Sequence, residues 1–180
     1  MLLRAALVPP EEALSELWTA TDALRKVPGT TPVPPEHLDI PIVSFGNLLP
    51  PDCDRLAGVL RSACEGAEGP VVRFQDVTLE DETTVVVALG GDTGPVADLA
   101  RFVTEAAERL GLYVDRRRFS LQIMLASVAP TSSPTLLSGA LACLEDWTGS
   151  PWSVPGLSLI RTRWSQGKSR PEEYDRIAMR

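Results

Sequence analysis

The chain is short of the residues on which metal and proton-transfer chemistry most often rest. Its 180 residues contain one histidine, His37, and three cysteines, Cys53, Cys64 and Cys143. None of these has the paired spacing of a zinc site, so neither a metal nor a cofactor is expected. Cys53 and Cys64 fall in one predicted helix, ~16 Å apart at the helical rise, which is beyond disulfide reach. Unpaired thiols point to a reducing, cytoplasmic setting. Long apolar runs are also missing, and nothing approaches the roughly 20 residues that a bilayer span requires, so no membrane partner is expected. The opening "MLLRAALVPPEE" turns acidic too soon for a signal peptide and reads as a first strand.

Basic charge is in deficit as well. Lys and Arg number 17 against 24 Asp and Glu, a formal charge of −7. A general nucleic-acid coat needs a basic face and is disfavoured. The basic residues are clustered, however, as Arg116, Arg117 and Arg118 and again as Arg161, Arg163 and Lys168. A basic pocket on an acidic body therefore remains open. With 44% hydrophobic residues, the chain can bury one packed interior, and residues 1–180 read as a single unit.

Periodicity supplies the elements. Leu2 to Leu7 reads as a strand, followed by a helix with the apolar stripe Leu14, Leu17, Trp18, Thr21 and Leu24. "PGTTPVPPE" reads as a surface loop. A helix is predicted from about Pro51 to Ala67, and a hairpin from Val71–Leu79 and Thr84–Leu89. The next helix has Thr93 as its expected cap and Val96, Leu99, Phe102, Val103, Ala106 and Leu110 as its stripe, with Gly111 ending it. Phe119 to Val128 alternates as a strand, and Ser133 and Pro134 start a helix predicted to reach about Trp147. Leu157–Trp164 and Tyr174–Met179 close the chain as strands around the loop "SQGKSRPEE". Strands and helices mix without a strict strand–helix alternation, which is the signature of an α+β fold.

One strand is anomalous. In "LDIPIVSFGNLLPPD" strict alternation puts Leu38, Ile40, Ile42 and Ser44 on one face, and Asp39, Pro41, Val43 and Phe45 on the other. An acid and a proline are poor residues for a half-buried strand face.

The phrases "LVPPEEA", "VPPEHLDIPIVSFGNL", "LGLYVDRRRFSLQIMLASV" and "LSLIRTRW" followed by "YDRIA" occur in an order that resembles the 2H phosphoesterase superfamily. The resemblance is to its bacterial RNA 2′,3′-cyclic phosphodiesterase or 2′-5′ RNA ligase-like branch. It implies two pseudo-symmetric lobes of mainly antiparallel sheet with outer helices, facing each other across a central cleft. Each lobe of that family contributes a His-x-Thr or His-x-Ser strand. Placed on this chain, the first motif falls on Asp39 and Pro41, and the second on Gln122 and Met124. Both motifs are thus degenerate.

The chemistry follows from those side chains. Opening a cyclic phosphate needs a base, an acid, and donors for the phosphoryl oxygens. Gln122 cannot carry a proton, Met124 offers no donor, and an ionised Asp39 repels phosphate. His37 shares strand parity with Asp39, which would put it on the cleft side. Arg118, Arg161, Arg163 and Trp164 are the remaining candidates for contact with an anionic ligand or a base. The resemblance therefore implies a non-catalytic protein that binds a nucleotide, an RNA end or another ligand in the cleft. Two alternatives stand beside it: a divergent phosphoesterase using Asp39, His37 or an arginine, and a protein-interaction module whose cleft is filled by side chains such as Met124.

Overall fold

A computed structural model describes residues 1–115, 119–165 and 167–180. The chain begins with β1 (Leu2–Leu7), α1 (Glu11–Ala20), α2 (Asp22–Arg25) and β2 (Thr30–Pro32), then β3 (Ile40–Asn47) and α3 (Pro50–Cys64). It continues with β4 (Val71–Glu80), β5 (Thr84–Gly91), α4 (Thr93–Arg109), β6 (Gln122–Val128) and α5 (Pro134–Ala142). It closes with β7 (Trp152–Ser153), β8 (Gly156–Ser165) and β9 (Lys168–Ala178). Two antiparallel sheets result, a four-stranded one in the order β3-β1-β8-β9 and a five-stranded one in the order β2-β6-β5-β4-β7. The α+β expectation of two mainly antiparallel sheets with helices holds. A single hydrophobic cluster runs through both sheets and includes Leu3, Phe45 and Leu159 from one and Phe74, Val87 and Ile123 from the other.

Several elements differ from their sequence reading, each for a local reason. The first helix breaks at Thr21, whose buried hydroxyl donates to the Leu17 carbonyl at 2.8 Å, a bond that competes with helix continuation. The proline-rich loop contains the strand β2, because an edge strand tolerates Pro32. β9 likewise begins at Lys168 and carries Pro171 along the sheet edge, so most of the expected loop "SQGKSRPEE" is strand. Thr93 is the first residue of α4 and not its cap; the preceding Asp92 accepts from the Val71 amide instead. α5 ends at Ala142, five residues early, as the chain tightens into a turn through Leu144 N–H to the Leu141 carbonyl. Ser133 does cap that helix, accepting from the Leu136 amide.

The strand β3 departs from simple alternation. Ala6 pairs with Pro41 and Ala5 with Val43, leaving Ile42 as an extra residue; Phe45 is extra in the same way between Ser44 and Gly46. These two bulges reverse the phase of the strand twice. Phe45 is fully buried, not on the outer face that alternation assigns to it, and Ser44 turns toward the cleft opposite Arg4. β6 has a matching irregularity: Val86 pairs with Met124 and Val85 with Ala126, so Leu125 is the extra residue. A bulge immediately follows Pro41 in β3 and Met124 in β6.

Candidate functional site

A cleft of about 660 Å³ lies between the sheets, within the size range of small-molecule sites. His37, Asp39, Pro41, Gln122 and Met124 all line it. The structure thus brings together the four positions onto which the sequence resemblance places the motifs. His37 ends a single turn of 3₁₀ helix, Pro35–His37, just before β3, and is exposed. Pro41 is exposed on β3, an edge strand, where proline is tolerated. Gln122 and Met124 occupy alternate positions of β6, with Met124 44% exposed.

Asp39 is bonded to a residue of the four-stranded sheet, and Gln122 to a residue of its own five-stranded sheet. Asp39 lies one residue outside β3 and accepts a hydrogen bond from the Arg4 guanidinium of β1. The Asp39 side chain is only 10% exposed, and burial pushes its carboxyl above the ordinary carboxylate value against the pull of Arg4 and, after it, His37. In the other lobe the Gln122 amide donates to both carboxylate oxygens of Glu80, each at 3.0 Å. Glu80 sits at the end of β4, two strands from β6. Gln122 is thus held as a neutral donor to a carboxylate, while Asp39 is held in an ion pair.

The remaining lining is mixed. Val33, Ile42, Val43, Val86, Phe119 and Ile123 give apolar surface; Ser44, Thr84 and Ser120 give hydroxyls. Asp115 also lines the cleft, and its amide donates to the Ser44 carbonyl at 2.9 Å. Among the described residues no group of His, Cys, Asp and Glu is arranged to hold a metal ion. The cleft is open, so Met124 does not fill it.

Arg161 and Arg163 lie elsewhere. Leu3 pairs with Arg161 and Arg4 with Ile160, so the side chains of Arg161 and Arg163 project from the face opposite to Arg4. Arg161 makes a two-pronged bond to Glu172 at 2.8 and 3.1 Å and lies over the Tyr174 ring, while Arg163 is ion-paired to the same Glu172. Neither is among the cleft-lining residues. Trp164 is 72% exposed near the end of β8. Arg118 lies outside the described residues. Sequence reasoning misses Arg4 and Glu80. A charged residue inside the apolar strand "LLRAAL" is the available signal for Arg4, since a half-buried guanidinium requires a partner.

No protein-family model matches the chain, and no curated protein matches it. Solved structures do. TT0787 of Thermus thermophilus superposes with a TM-score of 0.73 at 18% identity, over 99% of this chain and 98% of its own. E. coli LigT in complex with 3′-AMP gives 0.75 at 16% identity, over 99% and 97%. A phosphoesterase gives 0.76 at 15% identity, over 99% and 98%. E. coli LigT has also been crystallised with ATP and with NADP+. The fold of this chain is that of the 2H phosphoesterases.

Proposed function

We propose that the protein is a non-catalytic 2H phosphoesterase-like protein that holds a nucleotide or RNA end in its cleft without cleaving it. The carrying observation is the pairing of both altered positions within their own lobes, Asp39 with Arg4 and Gln122 with Glu80. A glutamine already donating to a carboxylate neither gives nor takes a proton, and two carboxylates where a phosphoryl group would sit oppose its negative charge. Apolar walls with a few hydroxyls suit a base and ribose better than a phosphate. That the nucleotide-bound LigT structures share the fold supports the ligand class. The free cysteines Cys53, Cys64 and Cys143 fit a cytoplasmic setting.

A second reading, a divergent phosphoesterase, is favoured by one observation: Asp39 has its carboxyl raised by burial and shares the cleft with His37. A raised carboxyl is a better general base near neutrality. ³¹P NMR of a short RNA ending in a 2′,3′-cyclic phosphate separates the two. An unchanged cyclic phosphate over hours, with a protein-dependent shift or broadening, is the expected result. A growing phosphomonoester signal that scales with protein and disappears in Asp39→Asn would establish the second reading and end the first.

A further inference from the structure

The hairpin of β8 and β9 outruns its sheet. β1 pairs with β8 from Ala6 and Ser158 only as far as Leu3 and Arg161, whereas β8 and β9 remain paired out to Ser165 and Lys168. The outer rungs therefore form a ribbon two strands wide, open on both faces. From Arg161 to Arg170 the sequence holds four basic residues and no acidic one. Arg163 stands directly opposite Arg170, a like-charge pair of which only one member has a carboxylate against it. Glu172 answers Arg161 and Arg163; Arg170 is exposed and has no ion pair among the described residues.

The other face of the ribbon carries Trp164, 72% exposed. Ile160 pairs with the cleft-lining Arg4, and Trp164 is four residues farther on, so its side chain looks to the same side as Arg4 from ~13 Å along the strand. A bare indole and a bare guanidinium on one narrow ribbon match the two halves of a nucleotide. Base and phosphate are separated by the sugar, so a strand crossing the ribbon's edge offers a base to one face and phosphates to the other. The net charge of −7 does not prevent this, because charges beyond ~8 Å are largely screened at physiological ionic strength.

We propose that the β8–β9 hairpin is a docking surface for single-stranded nucleic acid, with Trp164 stacking on an unpaired base and Arg163 and Arg170 contacting phosphates. The surface lies outside the cleft and stands whether or not the cleft takes a nucleotide. Duplexes are excluded by the same geometry, since their bases are already stacked on one another.

The test is fluorescence anisotropy with a labelled single-stranded decanucleotide, as RNA and as DNA, across a salt series. Trp164→Ala weakens binding by roughly 5- to 100-fold, while Trp164→Phe keeps most of it. Arg170→Ala lowers the slope of log K against log salt by about 0.7. Adenosine binding in the cleft is unchanged by either alanine variant, which separates this proposal from the cleft reading. The proposal is overturned if no binding is seen, if Trp164→Ala binds as the parent does with an unaltered melting curve, or if duplex DNA or polyglutamate competes as well as the single strand.

Discussion

The guanidinium of Arg4 is bonded to the carboxylate of Asp39 inside the cleft. The pair makes Asp39 both a structural residue and an obstacle to phosphate. Its burial gives a sign that can be measured. The carboxyl is held above its ordinary value of 3.8, so its contribution to folding is fully present below that value and is lost as pH rises through the raised one. Urea unfolding of the parent and Asp39→Asn between about pH 3 and 7 is expected to show the parent's advantage greatest at the acid end and shrinking upward. An advantage that grows with pH would mean that the Arg4 pairing outweighs burial.

Removing the acid altogether has a different effect. Asp39→Ala leaves the half-buried Arg4 without its partner, and the cost is about 1–3 kcal/mol, below the range for fully buried pairs because Arg4 is 32% exposed. Arg4→Met, which removes the charge, offsets part of that loss in the double variant. Chemical denaturation of the two single variants and the double variant reads the coupling directly.

In the second lobe the bond from Gln122 to Glu80 lies at the surface of the cleft, so its coupling is expected below about 1 kcal/mol in a double-mutant cycle with Gln122→Ala and Glu80→Ala. Its larger effect is on ligands. Glu80→Gln removes a carboxylate from the cleft and is expected to tighten binding of 3′-AMP relative to adenosine, read by isothermal titration calorimetry. An unchanged ratio would show that Glu80 does not face the phosphate.

Restoring the motifs tests the degenerate placement itself. The combined variant Asp39→His, Pro41→Thr, Gln122→His and Met124→Thr is expected to hydrolyse a 2′,3′-cyclic phosphate at a detectable rate, since each general acid or base contributes typically ~10²–10⁴-fold. A folded and inert variant would count against the correspondence between these four positions and the motifs.

Outside the cleft, the Tyr174 phenol donates to Asp54 of α3, and that bond pushes its pKa up to about 12. Ultraviolet titration of a Tyr113→Phe variant isolates this phenol and should show the midpoint there. Adding Asp54→Asn should bring it down toward the ordinary value of 10. The neutral phenol favours the folded state below that ordinary value, and its contribution is lost as pH rises through about 12.

Much of this architecture is legible from periodicity. The stripe Val96, Val103 and Ala106 buries one face of α4, and the alternation of Gln122, Ile123, Met124 and Leu125 separates cleft from core until the bulge. What escapes the sequence is whatever depends on pairing across the sheet. Pro32 and Pro171 read as loop residues because their tolerance rests on an edge position that only the sheet order supplies. Simple alternation puts Ser44 and Phe45 on the wrong faces because a bulge adds one residue without leaving a compositional mark. Arg4 and Glu80 become site residues only through partners 35 and 42 positions away. The charge of Arg161 and Arg163 suggests a ligand, yet the strand's parity turns them to Glu172 instead.

The extra residues Ile42 and Leu125 also change what a gain or loss of one residue does to these strands. Excising Ile42 would leave Val43 opposite Ala5 and Pro41 opposite Ala6, every rung of that stretch intact, whereas excising Ile40 would force a slip. The same holds for Leu125 between Met124 and Ala126. Directly behind Pro41 and directly behind Met124 the chain can thus be shortened without disturbing the ladder beyond. Single-residue deletions scanned along β3 and β6 would be tolerated best at these bulges and least at singly paired positions such as Ile40 and Ile123, and the survivors would differ from the parent chiefly in where Pro41 and Met124 point.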